Sequence, residues 1–210
     1  MGGVDKIMAP LCGRPLITHS LDAFESSPLV VRVVLVAPQA GVDSHRSLVT
    51  ERAYVKVEVV PGGERRQDSV HNGLEALGAV EWTIVHDGAR PCIDAALIEA
   101  GLQAAKETGA AVPAQPLSDT IKEVDDSGMV VRTLARDRLR AAQTPQVFRT
   151  ALLRRAHGQV QEDVTDDAAM VEVTGASVRL FPGSAENLKV TTPLDLDVAE
   201  AILRRRAGRT

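Results

Sequence analysis

Trp82-Thr83-Ile84-Val85-His86-Asp87-Gly88-Ala89-Arg90-Pro91 is the stretch that decides the fold. An apolar run of strand length ends abruptly in an acid, a glycine and an arginine. In an open parallel sheet, ligands sit just beyond the carboxyl ends of the strands. Asp87 and Arg90, three apart at such an edge, suit a metal-bound polyphosphate: the carboxylate can hold the cation and the guanidinium an anionic oxygen. The same residues also allow a plainer reading, a tight turn capped by Asp87 with Arg90 solvated.

The neighbouring segments decide what kind of sheet this strand joins. Val30 to Val36 is a near-continuous aliphatic run, the pattern of a strand buried on both faces. Val55 to Val60 and Ala110 to Ala114 read as further strands. Between them, Val70, Leu74 and Leu77 form one helical stripe, and Leu97, Ile98, Leu102 and Ala105 form another. Strands alternating with helices imply an α/β fold with right-handed crossovers and a mostly parallel sheet. At the far end Thr192 suits an N-cap, Pro193 the first helical position and Asp195 the helix dipole. There Leu194, Val198 and Ile202 are expected to face inward, and Arg204 to Arg206 to close the helix.

One segment breaks the alternation. Ile121 to Val124, Asp125-Asp126-Ser127-Gly128 and Met129 to Leu134 read as a β-hairpin around a glycine-containing turn. A two-stranded hairpin is barely stable alone, so it must pack either on a second subunit or back on its own sheet.

Composition limits the function classes. The 210 residues are 44% hydrophobic and 25% charged, an ordinary soluble domain with a substantial core. No apolar run approaches the ~20 residues that a membrane-spanning helix needs. A net charge of -4 and 2% aromatic content leave neither a basic stripe nor a stacking platform for nucleic acid. Cys12 and Cys92 lack metal or disulfide spacing and read as reduced thiols of a cytoplasmic protein. His19 and His71 fall on helices, His45 and His157 in polar surroundings, and His86 reads as structural; none has zinc spacing.

Polar groups also gather at the other strand ends. Pro61-Gly62-Gly63-Glu64-Arg65-Arg66-Gln67-Asp68-Ser69-Val70 places two glycines where backbone can approach a ligand, with Ser69 in the next helix's first turn. The alternative is a simple loop capped by Asp68 or Ser69. Asp163 to Ala168 opens a helix with paired acids, which bind metal in some proteins and merely suit the helix dipole in most. Lys189 lies inside a short strand-like run, Ser184 to Thr191, from which it either snorkels or points at an anion.

Read in order, Asp5-Lys6 with Leu11-Cys12-Gly13-Arg14-Pro15-Leu16, GGxxRxxSV (Gly62 to Val70), HDGARP (His86 to Pro91), Asp119-Thr120, Arg136, TPQxF (Thr144 to Phe148), Thr165-Asp166 and NLKVTxPxDL (Asn187 to Leu196) resemble the 2-C-methyl-D-erythritol 4-phosphate cytidylyltransferase family. The resemblance spans essentially the whole chain. It implies a Rossmann-like nucleotidyltransferase fold, one domain over residues 1–210, with a hairpin arm at about 117–140 that forms a homodimer. The implied reaction joins CTP to methylerythritol phosphate with Mg²⁺, releasing pyrophosphate. Carried over by position, Gly63, Glu64 and Ser69 would line the cytosine and ribose, and Asp87 would sit by the Mg²⁺-triphosphate. Arg90, Thr120, Arg136, Thr165 and Lys189 would bind the phosphate acceptor, and Lys6 would face the α-phosphate; Lys6, Asp87 and Lys189 would carry the catalysis. A cytidylyltransferase for ribitol phosphate, a sugar-phosphate nucleotidyltransferase, or a non-catalytic nucleotide-binding protein would retain many of these motifs.

The pattern departs from the family at its beginning. Relatives open with an apolar strand and a glycine-rich loop of the kind AAGxGxRMG, and Met1-Gly2-Gly3 lies where that loop should be ending. A start codon further upstream and a true truncation both account for this. The sequence as written is therefore expected to bind CTP weakly, to fold poorly, or both.

Overall fold

The computed structural model describes residues 6–160 and 162–208. Met1 to Asp5, and with them the Asp5 of the first motif, lie outside the described residues. In chain order the strands are β1 (Pro10–Leu11), β2 (Arg14–Pro15), β3 (Val33–Ala37), β4 (Val57–Pro61), β5 (Trp82–Val85), β6 (Ala110–Pro116), β7 (Lys122–Val124), β8 (Val130–Thr133), β9 (Arg140–Ala142), β10 (Gln146–Arg149) and β11 (Arg179–Pro182). The helices are α1 (Leu16–Ser26), α2 (Val42–Glu51), α3 (Arg66–Leu77), α4 (Ala95–Thr108), α5 (Thr150–Gln159), α6 (Asp167–Val173) and α7 (Pro193–Ala207).

The α/β class is as read, but the larger sheet is mixed. Its order is β11-β6-β10-β5, with β9 on the far end of β6. Strands β5, β6 and β11 share one direction, while β10 runs against β5 and β6 and pairs Val147 with both Ile84 and Ala111. The antiparallel members β9 and β10 follow the hairpin, where the chain returns to the sheet without a helical crossover. Strands β3 and β4 form a separate parallel pair, in register from Val33↔Val57 to Ala37↔Pro61.

Between β3 and β5 runs an apolar cleft of about 690 Å³. Ile17, Leu21 and Phe24 of α1 and Val70, Leu74 and Leu77 of α3 line it together with both strand edges. The expectation that Val30 to Val36 is buried on both faces therefore fails. The strand starts only at Val33, its residues are mostly half-buried, and Val31 ahead of it is exposed.

Two further local expectations change. The α7 helix begins as read: the Thr192 side chain accepts from Asp195 N–H, and the Asp195 carboxylate accepts from the backbone of Thr191 and Thr192. Those bonds, led by the Thr191 hydroxyl, hold the Asp195 carboxyl down to about 2. Yet Leu194 and Val198 are 69% and 43% exposed. The buried stripe is Leu196, Ala199, Ile202 and Leu203, which packs on Leu11, Leu16, Cys92 and Val190. In addition, Ser184 to Thr191 is not a strand; it is a loop fastened to its neighbours by single hydrogen bonds.

The Leu11 to Leu16 motif forms the β1–β2 hairpin with Cys12 at φ 50° and Gly13 at φ 78°. His19 clasps it, with Nε2 to the Leu11 carbonyl at 2.9 Å and Nδ1 to Arg14 Nη2 at 2.9 Å. Arg14 and the Tyr54 hydroxyl meet at Asp22. His45 is buried in α2, its Nδ1 2.7 Å from the Gly41 carbonyl, and not in polar surroundings as read.

Candidate active site

The site is built from the loop after β5. Its conformation is held by a chain of bonds through two side chains. Asp87 N–H donates to Thr144 Oγ1 at 3.0 Å, Thr144 Oγ1 lies 3.2 Å from His86 Nδ1, and His86 Nε2 lies 3.1 Å from the Arg90 carbonyl. The chain closes when the Thr144 hydroxyl donates to Nδ1 and Nε2 carries the imidazole proton. The His86 ring stacks edge-on against Phe24. Desolvation pushes its pKa down to about 4, the Arg90 carbonyl opposing, so the ring is neutral and structural, as read.

A second segment is fastened to this loop. Val190 N–H donates to the Ala89 carbonyl at 2.8 Å, Arg90 Nη1 donates to the Asn187 carbonyl at 2.8 Å, and Asn187 Nδ2 donates to the Thr144 carbonyl at 2.7 Å. Lys189 is thereby set beside Asp87, Nζ to Oδ2 3.0 Å. The capped start of α7, three residues on at Thr192, fixes the other end of the Lys189 segment. Burial pushes the Asp87 carboxyl up, but Lys189 first, then Arg66 and Arg90, outweigh it and hold it below the usual carboxylate range. Arg90 is only 9% exposed, so it ties the two segments together more than it reaches outward.

The third wall is the start of α6. Asp166 caps the helix by accepting from Ala169 N–H at 2.8 Å, and Gln146 on β10 donates to Asp166 at 2.7 Å while accepting from Ala168 N–H at 3.2 Å. The paired acids thus act at the helix start. Together Asp87, Arg90, Gln143, Thr144, Gln146, Thr165, Asp166, Lys189 and Arg66 enclose a polar cleft of about 310 Å³.

The structure brings Asp87, Arg90, Thr165 and Lys189 into this one cleft. Lys6 and the arm residues Thr120 and Arg136 are exposed and do not line it; Arg136 Nη1 instead donates to the Ser118 carbonyl at 2.5 Å. Ser69 lines the neighbouring apolar cleft, and Glu64 is exposed. The Gly62-Gly63 loop is shaped by its own helix. A Cβ on Gly63 would sit 2.3 Å from that of Asp68, and one on Gly62 would sit 2.8 Å from Ser69 Oγ. Ser69 Oγ accepts from Gly63 N–H at 3.1 Å, and the cap belongs to Arg65 with Asp68. Sequence reading gave Arg66, Thr144 and Gln146 no role of their own. All three stand inside the motifs it quoted, GGxxRxxSV and TPQxF, so the spacing marked them without indicating a role.

Among the described residues no group of three His, Cys, Asp or Glu could hold a metal by itself. Of the two carboxylates in the cleft, Asp166 spends both oxygens, on Ala169 N–H and on Gln146 Nε2, whereas Asp87 is paired through Oδ2 alone among the described residues. That fits Mg²⁺, which takes one or two carboxylates and fills its sphere with substrate phosphates and water.

A profile described as 2-C-methyl-D-erythritol 4-phosphate cytidylyltransferase matches residues 1–205. The chain belongs to this family. It is 45% identical over 206 residues to the enzyme of that name from Dehalococcoides mccartyi strain 195, covering 98% of this chain and 91% of that protein. The Streptomyces coelicolor enzyme is 46% identical over 216 residues, covering 97% and 80%. The crystal structure of the Thermus thermophilus enzyme superposes with a TM-score of 0.82 at 35% identity, covering 95% of this chain and 94% of that one. The corresponding synthase of Anaerococcus prevotii gives 0.86 at 27% identity, covering 94% and 93%. The chain is a nucleotidyltransferase of isoprenoid biosynthesis, and the Rossmann-like nucleotidyltransferase architecture is that of its family. Among the described residues no helix is long and apolar enough to cross a membrane.

Proposed function

We propose that the polar cleft joins methylerythritol phosphate to the α-phosphoryl group of CTP. The observation that carries this is the meeting of Asp87, Arg90, Thr165 and Lys189 around one cavity beyond β5. The acceptor's phosphate oxygen forms a bond to the α-phosphorus, the bond from that phosphorus to the β-phosphate's bridging oxygen breaks, and pyrophosphate leaves. Because the acceptor phosphate is already ionised near neutral pH, no strong general base is needed. The obstacle is anion against anion. Lys189 and Arg90, fixed by the loops described above, offset that repulsion without reorganising. Asp87 would hold Mg²⁺, which supplies charge neutralisation along the triphosphate.

The arm supports a homodimer. Val124, Met129, Val130 and Val131 are all at least half exposed, and among the described residues β7 and β8 pair only with each other. A partner covering them would bring Thr120 and Arg136 to a cleft that lacks them within one chain. The exposed Cys12 and the unpaired Cys92, whose thiol burial pushes up to about 11, suit a reducing cytoplasm. The test is pyrophosphate release from CTP and Mg²⁺ with methylerythritol phosphate, ribitol phosphate and a hexose 1-phosphate in turn. Release with the first alone is expected; preference for either other acceptor overturns the assignment.

A further inference from the structure

Arg66 stands where the two clefts meet. It is the first residue of α3, shortly after the Gly62-Gly63 loop, and with Asp87 it lines both cavities. The three cations of the polar cleft differ in how far they are committed. Arg90 is nearly buried and donates to the Asn187 carbonyl, and Lys189 is paired with Asp87. Arg66 has a side chain 39% exposed and uses only Nη2, bonded to Asp167 Oδ2 at 2.7 Å, among the described residues.

Asp167 is the unusual partner. Its side chain is 0% exposed, and its other oxygen lies 3.3 Å from Nε2 of His157, whose side chain is 5% exposed. A buried carboxylate must be compensated, and a buried ion pair seldom stabilises a fold over apolar packing. What this arrangement does achieve is orientation. Asp167 holds Nη2 of the planar fork while Arg66 lines the cleft, which leaves its other N–H groups for paired phosphate oxygens.

We propose that Arg66 contacts a phosphate group of the reacting pair, and that Asp167 and His157 are positioning residues that aim it. The substrate names rest on the reaction proposed above; the recognition of phosphate does not. That phosphate belongs either to the nucleotide's triphosphate or to the acceptor's monoester, and kinetics separates the two.

The test uses the full chain and the variants Arg66→Lys, Arg66→Met, Asp167→Asn and His157→Gln, together with the Arg66→Met/Asp167→Asn pair. Pyrophosphate release is followed with CTP and acceptor varied in turn, and binding of inorganic pyrophosphate and phosphate is measured by calorimetry. Arg66→Met is expected to raise KM for at least one substrate tenfold or more while kcat changes less, and the substrate affected identifies the phosphate. Arg66→Lys, which keeps the charge and loses the fork, should fall between. Asp167→Asn should move the same KM, and the double variant should be no worse than Arg66→Met. A lower melting temperature with both KM values unchanged overturns the contact, and additive losses overturn the positioning role. Should Asp167→Asn not fold, His157→Gln decides, by moving the same KM or leaving it fixed. If the unaltered chain releases pyrophosphate with no acceptor, the proposed reaction fails. Arg66 is then judged by calorimetry: tenfold weaker pyrophosphate or phosphate binding upholds its role and equal binding overturns it.

Discussion

At the scale of single residues, the Asp87–Lys189 pair and His86 carry different kinds of consequence. Lys189 is half-exposed at the cleft, lies outside the hydrophobic clusters and is paired with Asp87. Lys189→Ala is therefore expected to lower turnover at least a hundredfold, about 2.7–4 kcal/mol by analogy with losing one oxyanion donor, while the melting temperature stays within a few degrees. Turnover near that of the unaltered chain would remove Lys189 from the mechanism. His86 acts on stability. Its folded pKa of about 4 lies below the ordinary 6.5, so between those values the unfolded chain binds a proton that the folded chain refuses. Stability must fall as pH drops from about 6.5 to 4, by about 3–3.5 kcal/mol at most. Asp87, held low by Lys189, adds stability above the usual carboxylate range that is lost as pH falls through its depressed value. Thermal melts at stepped pH should show a flatter decline for His86→Gln, which would also start lower at neutral pH. Equal slopes for the two proteins would mean that some other group governs the acid limb.

Elements show why some of this was legible and some was not. A helix start is local chemistry, and Thr192, Pro193 and Asp195 declared theirs within four residues; the structure reproduces it. Which side of that helix is buried is not local. Leu194 and Val198 satisfy the helical period with Ile202 as well as Leu196, Ala199 and Leu203 do, and only the shape of the Leu11–Leu16–Cys92 cluster keeps Ile202 and turns the other two outward. Likewise the strand end at Asp87 was readable, whereas the clamp on Arg66 joins residues 101 apart in sequence and no spacing rule reaches that far. The arm is the clearest element-scale expectation. Its hairpin was read from two strand-like runs around the Asp125-to-Gly128 turn, where Gly128 takes φ 83°. Its exposed Met129 and Val130 are what a partner would cover. If the arm forms the proposed dimer, Val130→Asp is expected to shift the protein to monomer in sedimentation at micromolar concentration, and to lower turnover at least tenfold, because Thr120 and Arg136 would then be withdrawn from the partner's cleft. A monomeric unaltered chain with full activity would sink the dimer.

For the whole molecule, the decisive feature is the apolar cleft between the β3–β4 pair and the larger sheet. Strand β3 pairs only with β4, and β5 pairs only with β10, so each presents one backbone edge without a strand partner among the described residues. Those edges line the same cavity, with α1 side chains on one face and α3 side chains on the other. Water cannot be well held against walls of valine, leucine and isoleucine, yet unpaired backbone groups need partners. A short extended peptide with aliphatic side chains on both faces meets both demands, because it bonds to two edges and buries its side chains at about 1.5–3 kcal/mol each before ordering costs. A soluble valine- and isoleucine-rich peptide, offered in excess, is therefore expected to raise the melting temperature by about 5 °C or more. Replacing its central residue with proline, which removes a backbone donor, should abolish the effect. Equal stabilisation by the proline peptide would show that the cleft accepts apolar matter in general and that the two strand edges do not recognise a strand.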